Sequence, residues 1–116
     1  MGITIHLNWK ENGDIKWFYV FKLSSYPFEL QDYKIPDKSC PEKLDPKYLS
    51  EYLEWLKKLQ FFIKFAPEEY KKLNMTSNDL ETIKEGINED ILTTQEAINI
   101  WRTLELKKIK AWVSVG

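Results

Sequence analysis

The stretch ITIHLNWKENGDIKWFYVFKL, Ile3 to Leu23, decides the fold. Ile3, Ile5, Leu7 and Trp9 alternate with Thr4, His6 and Asn8, the period-two pattern of a strand with one buried face. Glu11-Asn12-Gly13-Asp14 then carries the Asn-Gly signature of a tight turn. Ile15 to Leu23 reads as a second strand with bulk on both faces, so the hairpin has two possible registers. A two-residue turn pairs Lys10 with Ile15 and Leu7 with Phe18. A three-residue loop with Gly13 in the left-handed region pairs Lys10 with Asp14, Leu7 with Trp17 and Ile5 with Tyr19. A one-residue slip moves every side chain to the other face. The three-residue loop gathers Ile3, Ile5, Leu7, Trp9, Ile15, Trp17, Tyr19 and Phe21 on one face. It segregates polarity better and is the expected register.

Outward from the hairpin, Ser24 to Asp45 is rich in Pro, Ser, Asp and Lys and reads as a connection, with Tyr26, Phe28 and Tyr33 to tack it down. Asp45-Pro46 is a cap followed by proline at the first helical position. A helix is expected from there to about Phe65, with Leu49, Tyr52, Leu53, Leu56, Leu59 and Ile63 inward. Phe61 and Phe65 fall on its polar stripe. Pro67 stops that helix and starts a short one, Pro67 to Leu73, expected to fold back over those two rings. Thr76 with Asp79 resembles a capping box and starts a third helix, with Leu80, Ile83 and Ile87 inward and Gly86 near its end. Thr93 with Glu96 is a better box and starts a fourth, with Ala97, Ile100, Trp101 and Leu104 inward. Ile109, Ala111, Val113 and Val115 then alternate with Lys110, Trp112 and Ser114. That segment is a third strand, returning to a hairpin that would be marginal alone. The expected class is α+β: an N-terminal β-hairpin and a C-terminal strand in one small antiparallel sheet, packed on three to four helices.

The totals limit what such a chain can do. Its 116 residues predict a single domain over residues 1–116. Hydrophobic residues make up 43% and charged residues 30%, which fits a globular chain with its own core. Net charge is −1, so no global field draws it to nucleic acid. Cys40 has no partner for an internal disulfide, and the first ten residues lack a secretory signal, so a cytoplasmic location is expected. No apolar run is long enough for a membrane span.

The search for chemistry is mostly negative. His6 and Cys40 cannot make a zinc site. Counting back from Gly86 places Ile83 and Leu92 where a calcium loop needs oxygen ligands, so that motif fails and no metal or cofactor is expected. No residue pair is marked as catalytic, and a small acid–base enzyme using His6 near Tyr19 would require a cleft at the hairpin.

Charge distribution is more informative. Between Thr76 and Glu96, six carboxylates stand against Lys84 alone, about −5 in a near-neutral chain. Asp79, Glu81, Glu85, Glu89 and Asp90 are therefore candidate contacts for a basic protein partner. Trp55, Phe61, Phe65 and Trp112 are candidate aromatic anchors. The expected function is a small protein-binding module of the inhibitor, immunity-protein or anti-defence kind, acting by occupying a macromolecular partner. One alternative is nucleic-acid binding through the lysine–aromatic strand and the basic tract Lys107, Lys108 and Lys110. A further possibility is a homo-oligomer that buries Phe61 and Phe65 between copies.

Overall fold

The computed structural model describes residues 4–22, 44–65 and 77–116, with side chains from Glu81 onward in the last span. The element order is β1 (Thr4–Glu11), β2 (Asp14–Lys22), α1 (Tyr48–Phe65), α2 (Ser77–Leu106) and β3 (Ala111–Val115). The three strands form one antiparallel sheet in the order β2-β1-β3. The class is α+β, as expected.

The hairpin takes the other register. Glu11 pairs with Asp14, Lys10 with Ile15 and Leu7 with Phe18. The turn is therefore Asn12-Gly13 alone, and both residues have positive φ, 53° and 84°. Two positive φ values define a type I′ turn, whose twist matches that of the strands it joins. Better polarity segregation does not require the longer loop, because a bulge restores it. His6 pairs with Tyr19 but Ile5 pairs with Phe21, which leaves Val20 as the extra residue. Val20 and Phe21 both become fully buried, beside Ile5 and Leu7. Ile15, Trp17 and Tyr19, expected in the core, lie on the opposite face and are exposed.

β3 docks as the alternation predicts. Leu7 faces Val113, and Trp9 faces Ala111, across the β1–β3 ladder. Leu44 bridges the outer side of β3, trading two backbone hydrogen bonds with Val113 at 2.8 and 2.9 Å.

The two helices cover the inner face. The Asp45 carboxylate accepts from the Lys47 amide at 2.9 Å, and the Asp45 carbonyl from the Tyr48 amide at 3.1 Å, so this cap operates as expected. Leu49, Tyr52, Leu56, Leu59 and Ile63 are buried along α1. Phe21 meets Tyr52 edge-on at 5.7 Å and stacks near Trp55 at 6.4 Å. Burial, helped by Tyr48 and Glu51, pushes the Tyr52 hydroxyl up to about 12.

Among the described residues there are two helices, not three to four. The expected third and fourth helices are one 30-residue helix. Thr93 does not cap it. Its hydroxyl donates to the Val20 carbonyl at 2.6 Å, with the Asp90 carbonyl 3.1 Å away. The buried Thr94 hydroxyl donates to the Asp90 carbonyl at 2.7 Å. Such back-bonding is compatible with a helix interior. Ile83, Ile87, Ile91, Thr94 and Ile98 make a continuous buried stripe across the supposed break. Gly86 is an interior residue, at a cost of about 1 kcal/mol relative to alanine. The expected short helix from Pro67 lies outside the described residues. The cover it was expected to give Phe61 and Phe65 lies outside them too; these two rings are 65% and 64% exposed.

The end of α2 is a Schellman motif. The Ile109 amide donates to the Leu104 carbonyl and the Lys108 amide to the Glu105 carbonyl, both at 2.9 Å. Lys108 carries the left-handed conformation, φ 60°, where glycine has no Cβ penalty. Lys108→Gly is expected to stabilise the protein by about 0.5–1 kcal/mol, read as a higher urea midpoint at unchanged slope. A lower midpoint would mean that Lys108 is unstrained.

Candidate functional site

The side of the sheet away from the helices is the candidate site. Register alternation places Thr4, His6, Asn8 and Lys10 of β1 on it. Ile15, Trp17, Tyr19 and Lys22 of β2 share that face, as do Trp112 and Ser114 of β3. No carboxylate stands among these strand positions. His6, on the central strand, packs its ring edge-on to Trp17 at 5.4 Å and to Tyr19 at 5.8 Å. Asn8 donates from Nδ2 to the Ser114 hydroxyl at 2.9 Å and so ties β1 to β3 on this face. Trp17 is 64% exposed and Ile15 65%, a large apolar surface to leave in water on one strand.

The acidic residues lie on α2, and Asp90 and Glu89 are the two whose charges act on a residue of that surface. Glu81, Glu85 and Glu89 recur every four residues on α2 and are exposed, and Asp90 is half-buried. Glu81 lies 3.7 Å from Lys84. Glu85 and Glu89 make no ion pair among the described residues. The acidic end of α2 lies close enough to β2 for its charges to reach Tyr19. Its hydroxyl is pushed up from the usual tyrosine range, by burial first and then by the charges of Asp90 and Glu89. The Thr93–Val20 hydrogen bond holds the helix against β2 at this place. The Asp79 side chain lies outside the described residues.

The expected aromatic anchors separate into three groups. Trp112 sits on the open sheet face, half-buried, across β1 from Trp17. Trp55 is half-buried and packed on the core, stacked near Phe21. Phe61 and Phe65 form an exposed pair 4.6 Å apart at the end of α1, with the Lys64 ammonium 5.5 Å from the Phe65 ring. Trp17 and Tyr19 are the residues that the expected site lacks. Their exposure follows from the two-residue turn, and Asn12-Gly13 is its signal in the sequence.

The basic tract is remote from the acids. Lys107, Lys108 and Lys110 are exposed between α2 and β3. From Glu85 to Arg102 alone is about 25 Å of helix. A cavity of about 370 Å³ beside this end is lined by Trp9, Glu11, Lys16, Glu96 and Lys107, among others. Its charges are mixed, and Lys16 is already paired with Glu11 at 3.2 Å. A second cavity, of about 340 Å³, opens between α1 and α2 at Ile63, Lys84 and Ile87, where Gln60 donates to Asn88. Neither of these two cavities is lined by His6 or Tyr19. Among the described residues, no three metal-ligating side chains gather. No helix among them is long and apolar enough to cross a membrane. No family model, curated protein or solved structure matches this chain.

Proposed function

We propose that this chain is a small protein-binding module that occupies a basic macromolecular partner, in the manner of inhibitors, immunity proteins and anti-defence proteins. The open face of β2 and the acidic side of α2 make one contact surface. The observation that carries the reading is the junction at Tyr19. An exposed aromatic ring at the end of the open face feels the charges of Asp90 and Glu89, on the helix that Thr93 ties to Val20. Aromatic rings supply the desolvated centre of such interfaces, and flanking carboxylates speed encounter with a cationic surface. Glu81, Glu85, Glu89 and Asp90 are the steering charges, and Trp17, Tyr19 and Trp112 are the anchors. Trp55 supports the core rather than the contact.

The test is retention of partners from a lysate of the source organism by tagged protein, with and without nuclease, repeated with Glu85→Lys/Glu89→Lys. A protein retained from both lysates by the wild type, and associating several-fold more slowly with the double variant at low salt, is the expected outcome. An association rate unchanged by the charge reversal removes the acidic surface from the function.

A second reading rests on the same sheet face. Trp17, Tyr19 and Trp112 share it with Lys10 and Lys22, and such a surface can stack unpaired bases. Retention that disappears on nuclease treatment, and affinity that falls steeply with salt, would favour it.

A further inference from the structure

The open edge of β2 deepens the protein-binding reading, and the role assigned to it rests on that reading. Glu11 and Asp14 flank the type I′ turn and therefore exchange both ladder hydrogen bonds. Bonded and non-bonded pairs alternate along an antiparallel ladder. Lys16 and Phe18 thus bond inward to β1, and the backbone N–H and C=O of Ile15, Trp17 and Tyr19 point outward. β2 is an edge strand, and among the described residues nothing pairs with that outward row. The edge is closed beyond Tyr19, and so is the opposite edge of the sheet at β3. Thr93 takes the Val20 carbonyl at 2.6 Å, and on the far side of the sheet Leu44 takes both backbone groups of Val113. The open edge therefore runs from Ile15 to Tyr19. Its side chains on the outer face are the three most exposed apolar groups of the hairpin, and Glu89 and Asp90 stand at its Tyr19 end.

We infer that β2 receives an extended, lysine- or arginine-bearing segment of the partner as a fourth strand, its main chain bonded to Ile15, Trp17 and Tyr19. In this mode the main-chain bonds hold the segment, and alternate side chains select it. A cationic side chain beside Tyr19 meets Glu89 and Asp90, and its neighbours along the segment lie against Trp17 and Ile15. The occupant is basic because Glu89 and Asp90 outnumber Lys22, the next outer-face residue of β2, at the Tyr19 end of this edge.

The probe is a capped octapeptide of alternating valine and lysine, titrated to about 1 mM and followed by amide exchange and by calorimetry. Two substitutions separate main-chain from side-chain effects. Ile15→Pro removes an outward N–H that the β1 ladder does not use, and edge strands tolerate proline at such a position. Ile15→Ala removes the side chain and keeps the N–H. Binding is expected with slowed exchange at the Ile15, Trp17 and Tyr19 amides. Ile15→Pro is expected to stay folded and bind about tenfold or more weakly, and Ile15→Ala to stay within about threefold of wild type. Equal binding by Ile15→Pro and Ile15→Ala overturns the inference. So does absence of binding at the highest concentration. Protection of the same three amides without peptide, in a protein that light scattering shows to be dimeric, also overturns it, because the occupant is then a second copy. If Glu85→Lys/Glu89→Lys weakens peptide binding and Ile15→Pro does not, the acidic contact surface stands and strand addition falls. The opposite pattern leaves strand addition standing and removes the acids.

Discussion

Phe21→Ala is expected to cost about 3–5 kcal/mol, the range for removing a fully buried aromatic ring. The whole protein should have roughly 6–17 kcal/mol of stability, at about 0.05–0.15 kcal/mol per residue, so this one ring holds a substantial share. Its leverage comes from position. Phe21 sits at the bulge, has no exposed surface, and is the β2 ring in contact with both Tyr52 and Trp55 of α1. Removing it opens a cavity between the sheet and α1, which neighbouring rings can fill only partly. Trp17→Ala is the comparison that gives the number meaning. Trp17 has the larger ring, but it is 64% exposed, so its removal should change stability by no more than about 0.5 kcal/mol. Urea denaturation of the two variants decides the hairpin register. In the longer-loop register Trp17 is a core residue, and its loss would cost as much as that of Phe21. A Trp17→Ala cost above about 2 kcal/mol would overturn the two-residue turn.

The same two residues show how far the sequence can be read. Period-two alternation locates the first and third strands, because a half-buried strand must alternate wherever its faces differ in solvent, and the Asn-Gly turn before a bulky run locates the second. The inward stripe of α1 is equally plain, from Leu49 through Ile63. Polarity alone gives the wrong hairpin register. It ranks uninterrupted ladders, whereas here one extra residue, Val20, moves Phe21 onto the face of Phe18 and Leu7. The turn dipeptide is the better guide, since Asn12 and Gly13 both tolerate the positive φ that a type I′ turn demands. The wrong register carries over to the candidate site. It sends Trp17 and Tyr19 to the core and leaves the open face without its two most exposed rings. The acidic residues from Glu81 to Asp90 are legible as a charge run, but their influence on Tyr19 is not. That influence depends on where α2 crosses β2, which the Thr93–Val20 hydrogen bond sets across 73 residues of chain.

Thr94→Pro distinguishes one helix from two and is expected to cost at least about 3 kcal/mol. If Thr93 capped a separate helix, Thr94 would be its first helical residue. Proline is favoured there, because the missing N–H has no partner to lose. In the continuous helix the same residue is interior. Its amide belongs to the ladder with the Asp90 carbonyl, which the proline ring would strike. The buried Thr94 hydroxyl bond to that carbonyl, 2.7 Å long, would also be lost. Thr94→Ala measures the hydroxyl alone and should cost about 1 kcal/mol. The difference between the two variants is then the backbone contribution. A kink at this point would also shift Thr93 away from the Val20 carbonyl and move Glu89 and Asp90 relative to Tyr19. Thr94→Pro should therefore weaken partner binding beyond its effect on stability, while Thr94→Ala leaves binding intact. Stabilities within about 1 kcal/mol of each other for the two variants would mean that the chain breaks at Thr93. The acidic surface and the sheet face would then be carried by elements free to move apart.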